Sequence, residues 1–267
     1  MIKHGIGIFD SGLGGLTVMK AIKEALPCEN IIYFGDTARV PYGNKSPETI
    51  KRFAKEMTDF LCSKNIKILV VACNTASAFA LEYLKTILDI PVVGVIEPGS
   101  KSALEVTKTK KIGVIGTKGT INSGVYENIL SRLDSTVEVQ VKACPLFVPL
   151  VEEGWVENKI TEDIAKQYLA DLTGIDTLIL GCTHYPILKK VIENILGDSV
   201  IIVDSAIETA QVVRNTIKLN AMEQKACQGQ SEFFVSDDPG KFREVSRKFL
   251  DEDICQEMLL SKVILMP

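Results

Sequence analysis

The sequence has no long apolar run and no cluster of basic residues. None of its apolar stretches approaches the roughly 20 residues that a membrane-spanning helix needs, so we expect no membrane span. Lysine and arginine are interspersed with aspartate and glutamate, the net charge is −4, and aromatic residues make up 6% of the chain. This pattern argues against direct nucleic-acid binding and favours a small molecule as the partner.

Cysteine is present, but without the spacing of a disulfide framework or a zinc site. The seven cysteines are an odd number, and no two of them form a C-x-x-C pair. The first residues, MIKHGIGIFDSG, also lack the apolar segment and the cleavage site of a secretion signal. We therefore expect a cytoplasmic protein with reduced thiols and no bound metal.

Short aliphatic segments alternate with segments of helical period along the 267 residues, of which 46% are hydrophobic. This length and composition suffice for one large domain or two ordinary ones. Helices are predicted from Pro47, with Ser46 as the cap, and after Ser205, whose spacing to Glu208 is that of a capping box. Predicted strands include residues 5–9, 31–35, 68–72, 91–99 and 231–236, and a late helix is predicted at 239–250.

The second half repeats the order of motifs found in the first. Three features of the first half recur in the second: a polar residue at a strand end, a proline in a loop and a cysteine in a turn. The corresponding residues are Asp10 and Thr117, Pro41 and Pro149, and Cys73 and Cys182, and the number of residues between the two members is nearly the same in each pair. Such self-similarity indicates an internal duplication. Because strands alternate with helices, we expect an α/β fold of two similar, doubly wound domains with mainly parallel sheets. A pseudo-two-fold axis would relate the two domains, and the active site would lie in the cleft between them.

The most informative segment is LVVACNTASA, residues 69–78, where an aliphatic run ends abruptly in polar residues. This pattern is typical of a buried parallel strand whose end faces a ligand cleft. Thr75 is predicted to cap the following helix, which would place Cys73 beside backbone N–H donors and favour its thiolate. The segment LILGCTHYP, residues 178–186, repeats this arrangement with Cys182.

Two cysteines at matching strand ends indicate chemistry with two bases. If the two halves face each other, one sulfur can remove a proton from a carbon centre while the other returns a proton to the opposite face. That exchange inverts the centre. A single cysteine in such a position is more often a small buried hydrophobe, and it is the matched pair that favours a function.

Candidate assisting groups lie near the two cysteines. Asp10 ends the first strand, whose tip should neighbour that of Cys73, and His184 follows Cys182 closely, so that each can hold or transfer a proton. His4 is on no strand end and is interpreted as structural. Small donors and acceptors that suit a zwitterionic, carboxylate-rich ligand are Ser11, Asn74, Thr75, Thr117, Thr120 and Thr183.

Two other functions are less well supported. Gly12 and Gly14 suggest a dinucleotide loop, but Thr17 stands where that motif needs its third glycine. A dithiol redox protein would carry its cysteines as a local pair. The remaining cysteines have no partner motif and are interpreted as structural: Cys28, Cys62, Cys144, Cys227 and Cys255.

Five motifs between Ile8 and Pro186 resemble those of the glutamate racemase family: IFDSGLGGLTV, FGDTARVPYG, ACNTASA, CPLFVPLVEEG and GCTHYP. The resemblance implies a cofactor-independent isomerase that interconverts L- and D-glutamate and supplies D-glutamate for bacterial peptidoglycan. It also implies a first domain of residues 1–97 plus 207–267 and a second of 98–206. Aspartate remains an alternative substrate, and binding of DNA gyrase an additional role. We expect a homodimer.

The resemblance also implies roles for individual residues. Cys73 and Cys182 would be the acid/base pair, with Asp10 assisting the first and Glu152 and His184 assisting the second. Neither pyridoxal phosphate nor a metal is expected. Contacts to the substrate would come from Asp10, Ser11, Pro41, Tyr42, Gly43, Cys73, Asn74, Thr75, Thr117, Thr120, Cys182, Thr183 and His184.

Overall fold

The strands lie in two parallel sheets in the computed structural model, which describes residues 4–224, 228–256 and 258–265. Within these residues, the first sheet consists of β1 (Ile6–Asp10), β2 (Ile31–Gly35), β3 (Ile68–Val71), β4 (Val92–Gly94), β9 (Ser231–Val235) and β10 (Leu259–Lys262). The second consists of β5 (Lys111–Gly116), β6 (Glu138–Ala143), β7 (Thr177–Gly181) and β8 (Ile201–Val203). The strand pairings in both are parallel.

Both sheets have the same internal strand order. The first runs β10-β9-β2-β1-β3-β4, and its last four strands match the order β6-β5-β7-β8 of the second. This confirms the prediction of two similar α/β units with parallel sheets. In each unit the first and third strands are neighbours, so their carboxyl ends meet at one edge, where ligands bind in such folds.

The helices connect successive strands and cover the sheets. They are α1 (Leu16–Ala25), α2 (Pro47–Ser63), α3 (Asn74–Ile87), α4 (Ile96–Val106), α5 (Lys118–Asn122), α6 (Val125–Leu133), α7 (Phe147–Glu152), α8 (Lys159–Leu169), α9 (Lys189–Leu196), α10 (Ser205–Leu219), α11 (Pro239–Ser246) and α12 (Glu252–Gln256). Short 3₁₀ turns lie at Tyr42–Asn44 and Tyr185–Leu188. None of the helices in the described part of the chain is long and apolar enough to cross a bilayer.

The first sheet is buried on both faces, which explains its nearly continuous aliphatic strands. In β1, Ile6 and Ile8 point to the face covered by α1 and α10, whereas Phe9 points to the face covered by α2 and α3. The cluster around Ile8 continues into the second unit, where it includes Leu178 of β7. A shared apolar base therefore joins the two units.

Two segments predicted as proline loops are helical. Strand β4 is shorter than the predicted 91–99 and ends at Gly94, and α4 begins at Ile96 with Pro98 in its first turn. Pro149 likewise lies in the first turn of α7. Proline is tolerated at these positions because the N–H that it lacks would have no acceptor within the helix.

The helix caps agree with the sequence in one case and differ in two. Ser46 caps α2 by accepting a hydrogen bond from the Thr49 N–H. Helix α10 is capped by Asp204 rather than through Ser205, and α3 is capped by the Cys73 sulfur rather than by Thr75. The aspartate and the thiol, one or two residues earlier, also reach a free N–H group of the first turn.

The carboxyl-terminal part departs from the prediction in its details. The late strand is confirmed as β9, which pairs with β2, but the helix expected at 239–250 ends at Ser246. Strand β10, which pairs with β9, was not predicted. The six cysteines of the described residues are free thiols. Cys227, interpreted as structural, lies outside the described residues.

Candidate active site

The two units present their strand ends to one small cavity. Its lining comprises Ser11, Val40, Pro41, Tyr42, Gly43, Cys73, Asn74, Thr75, Thr117, Val148, Cys182, Thr183 and His184. Both cysteines of the repeated motif therefore reach the same space, one from each sheet. The cavity has a volume of about 20 Å³, close to what a single water molecule requires. A larger ligand therefore needs a rearrangement of this lining.

Most of the predicted site residues belong to this lining, and the others lie directly behind it. Asp10 and Thr120 contact lining residues, and Glu152 contacts His184. The Tyr42 hydroxyl is turned to Asp36, so its phenol is not available to a ligand. Val40 and Val148 were not predicted, because an isolated valine carries no signal that separates a cavity wall from a core position.

Cys73 is a buried thiol at the start of α3. Its sulfur accepts a hydrogen bond from the Ala76 N–H at 3.5 Å. Burial, and next the negative charge of Asp10, raise the pKa of Cys73 to about 12, against the opposing effect of the Ala76 N–H and the Ser11 hydroxyl. The helix-end donor that was expected to favour the thiolate does lower the pKa of Cys73, but the loss of water outweighs it.

Asp10 lies beneath the cavity and contacts both units. Its carboxylate accepts hydrogen bonds from the Gly12 N–H at 2.9 Å and from the Thr183 hydroxyl at 3.4 Å. Complete burial raises its pKa, and the charge of His184 and nearby backbone N–H groups offset only part of that rise. Burial thus makes Asp10 easier to protonate than an exposed carboxylate.

Cys182, His184 and Glu152 form a chain of three residues joined by two contacts. His184 Nδ1 lies 4.0 Å from the Cys182 sulfur, and Nε2 lies 3.2 Å from Glu152 Oε1. Burial opposes protonation of the imidazole, but the hydrogen bonds to Cys182 and Glu152 overcome it and raise the pKa of His184 to about 10. The imidazole is therefore protonated at neutral pH. Glu152 acts on His184, and only through it on Cys182.

Three threonine hydroxyls meet across the boundary between the units. Thr75 of α3 lies 3.0 Å from the Thr117 hydroxyl and 3.1 Å from that of Thr120, and the latter two are 3.1 Å apart. Thr117 also caps α5 by accepting a hydrogen bond from the Thr120 N–H. Hydroxyls beside the amino ends of two helices favour an anionic group on the ligand.

Glycines allow the backbone of the first unit to approach the second closely. A Cβ on Gly14 would overlap the Thr183 hydroxyl and lie 2.5 Å from His184 Nδ1. A Cβ on Gly43 would lie 2.5 Å from the Cβ of Thr117. The glycine turn that suggested a nucleotide loop therefore serves as a packing surface against Thr183 and His184.

A larger cavity lies away from the cysteines. It has a volume of about 690 Å³ and is lined by residues of α3, β4, α4, α6 and α10. Its wall contains no cysteine or histidine, and its charged side chains include the ion pairs Lys85–Glu82 and Lys101–Glu97. In the described part of the chain, no cluster of three His, Cys, Asp or Glu side chains has the geometry to hold a metal ion.

Two similar parallel sheets that each present a thiol to one cavity define an α/β enzyme that acts on a small ligand from both sides. The chain belongs to the Asp/Glu/Hydantoin racemase family, whose profile matches residues 6–213. This confirms the resemblance carried by the five sequence motifs.

Individual relatives match almost the whole chain. A glutamate racemase of Geobacter metallireducens is 55% identical over 248 residues, which are 92% of this chain and 92% of that protein. The crystal structure of glutamate racemase isoform RacE1 from Bacillus anthracis has a TM-score of 0.94 at 42% identity and covers 99% of both chains. Glutamate racemase from Francisella tularensis, in complex with D-glutamate, has a TM-score of 0.91 at 40% identity over 98% of both chains.

The Gly14 contact predicts a selective loss of activity. Gly14→Ala should lower kcat/KM by about a hundredfold, because a methyl group there displaces Thr183 and His184 from the cavity. Steady-state turnover and a thermal melt of the purified variant measure this. Gly12→Ala is the matched control in the same turn, since its added methyl would meet only Val40 at 3.7 Å. Equal activities of the two variants would contradict the contact.

The charge on His184 predicts a pH-dependent contribution to stability. Its pKa rises from 6.5 to about 10 in the folded protein, so the stabilisation is complete below pH 6.5 and is lost as the pH rises to 10. The difference in melting temperature between the wild type and His184→Gln should therefore shrink across that range. A difference that is independent of pH would contradict the protonated state.

Proposed function

We propose that the chain interconverts L- and D-glutamate by proton exchange at the α-carbon between Cys73 and Cys182. The observation that carries this proposal is that both thiols, from equivalent strand ends of two similar sheets, line the same cavity. The relatives described above bear the name glutamate racemase, which favours glutamate over aspartate. The product would supply D-glutamate for peptidoglycan.

Each cysteine has its own proton partner. Cys182 would remove the α-proton of L-glutamate, with the protonated His184 and Glu152 holding the charge beside it. Cys73, a thiol at neutral pH, would then give its proton to the opposite face of the planar carbanion. In the reverse direction Asp10 would take the proton of Cys73, whose thiolate would then remove the α-proton of D-glutamate, while Cys182, protonated by His184, would give a proton to the opposite face. In each direction one proton leaves the α-carbon and one is returned to it.

The polar lining would hold the two carboxylates of the substrate. Asn74 has a buried amide nitrogen without a hydrogen-bond partner among the described residues, and it lines the cavity. A carboxylate would satisfy this donor and would replace the mutual contacts of Thr75, Thr117 and Thr120. Further donors to the carboxylates would be the hydroxyls of Ser11 and Thr183 and the N–H groups of Tyr42 and Gly43, whereas the Pro41 carbonyl could accept only from the ammonium group of the substrate.

We also propose that the chain is a cytoplasmic homodimer with domains at residues 1–97 plus 207–267 and 98–206. Support for the division is that β9 and β10 pair with the first sheet, whereas β5 to β8 form the second. Light scattering of the purified protein should give twice the mass of the 29.3 kDa chain. A monomer mass at every concentration assayed would contradict the dimer.

The two-base reaction predicts a specific isotope pattern. Starting from L-glutamate in D₂O, the D-glutamate first formed should carry deuterium at the α-carbon, because its new proton comes from a second group in exchange with solvent. Recovered L-glutamate should stay unlabelled early in the reaction. Circular dichroism of the amino acid follows the approach to zero signal, and mass spectrometry of the separated enantiomers measures the label. Early label in L-glutamate would contradict opposed bases.

Cysteine variants provide the matched controls for that experiment. Cys73→Ser and Cys182→Ser should each abolish turnover, since each removes one face of the exchange. Cys62→Ser changes a half-buried thiol of α2, outside the cavity lining, and should remain active. Because no metal is expected, dialysis of the wild-type protein against a chelator before the assay should leave its rate of racemisation unchanged. Turnover of L-aspartate instead of L-glutamate would contradict the proposed substrate.

A further inference from the structure

A buried hydrogen bond joins the two units at the edge of the cavity. The hydroxyl of Tyr126, in α6 of the second unit, donates to Oδ1 of Asn74 at 2.7 Å. Asn74 is the first residue of α3 in the first unit and directly follows Cys73. Tyr126 and Asn74 are 1% and 3% exposed, so water does not compete for this bond. Neither the motifs nor the proton exchange described above involves Tyr126.

The bond settles which way the Asn74 amide faces. The Tyr126 hydroxyl has no other acceptor within hydrogen-bond distance in the described residues. An amide rotated by half a turn would present its NH₂ group to Tyr126 and leave the buried phenol hydrogen without an acceptor. Burial also raises the pKa of Tyr126, so the phenol keeps its proton. Oδ1 is therefore held towards Tyr126, and the NH₂ group is left free.

The unpaired NH₂ group of the Asn74 amide indicates that a ligand can bind there. Nδ2 of Asn74 has no hydrogen-bond partner among the described residues, although it is buried and belongs to a side chain that lines the cavity. Leaving a buried donor unpaired costs free energy, and an anionic acceptor would remove that cost. The orientation imposed by Tyr126 is the one that offers a donor to a carboxylate.

We propose that Tyr126 is a positioning residue for substrate binding: it holds the Asn74 amide with its NH₂ group towards a carboxylate of the ligand in the cavity. This inference rests on the proposed glutamate reaction. Because Tyr126 and Asn74 belong to different units, the donor is oriented only when the units are together. The closed arrangement itself therefore completes the binding site.

Tyr126→Phe tests this role by removing only the hydroxyl. A hydrogen bond to a charged group corresponds to roughly a tenfold change in affinity, so KM should rise by about that factor for both enantiomers. The value of kcat should change little, because the lost interaction is one of binding. Isothermal titration with D-glutamate should show the same loss of affinity. An unchanged KM in an active enzyme would overturn the inference.

Measurements in the Asn74→Ala background distinguish a positioning role of Tyr126 from a packing role. In Asn74→Ala, the further change Tyr126→Phe should have no additional effect on KM, because the group that Tyr126 orients is gone. Tyr185→Phe is the matched control: it also removes a buried phenol hydroxyl in the second unit, one that donates to the Cys144 carbonyl at 2.8 Å. It should lower the melting temperature without changing KM. A full Tyr126 effect in the Asn74→Ala background would show a packing role instead.

Asn74→Asp keeps the test decisive if Tyr126→Phe does not fold. It retains an acceptor for the Tyr126 hydroxyl but offers the ligand a negative charge in place of an N–H donor, so it should bind D-glutamate more weakly than Asn74→Ala. Equal affinities of these two variants would contradict the proposal. A wild-type protein that does not racemise glutamate would instead refute the proposed function, which the same assays detect first.

Discussion

Two parallel sheets can act on one carbon atom only if their strand ends come within reach of the same small space. This chain meets that condition by packing backbone directly against side chains. Gly14 lies against Thr183 and His184, and Gly43 lies against Thr117, with no room for a methyl group at either contact. The positions of the thiols depend on these contacts, because each cysteine is held by its own sheet. The apolar cluster that the two units share, which includes Ile8 and Leu178, holds the two sheets together.

Equivalent positions in the two units have different electrostatic surroundings. Cys73 lies near a buried carboxylate, which favours the thiol, whereas Cys182 lies beside an imidazole that is protonated at neutral pH. At equivalent strand ends, the sulfur of Cys73 can thus donate a proton, whereas the sulfur of Cys182 lies beside a cation. The two units share the same strand-end geometry, and the side chains of Asp10 and His184 distinguish their surroundings. The hydrogen bond from Thr183 to Asp10 links the two surroundings.

Much of this arrangement was predictable because it follows from how parallel strands end. Asp10 and Cys73 end neighbouring strands of one sheet, and Thr117 and Cys182 end neighbouring strands of the other, so their convergence needs only the strand order. Other features depend on three-dimensional packing. Pro98 and Pro149 signal a loop locally but fit the first turn of a helix. The protonation of Cys73 results from burial, which local spacing does not reveal. Tyr126 has no motif of its own, since its role arises only from contact with the other unit.

The triangle formed by Thr75, Thr117 and Thr120 has a consequence for selectivity among anions. Three hydroxyl groups carry three hydrogens and make three contacts, so a cyclic arrangement can use every donor once. These three hydroxyls can therefore satisfy one another, and an anion that binds them gains only the difference between its own hydrogen bonds and those it replaces. Selectivity among anions at this place is therefore set by the further hydrogen bonds that the ligand makes elsewhere in the lining.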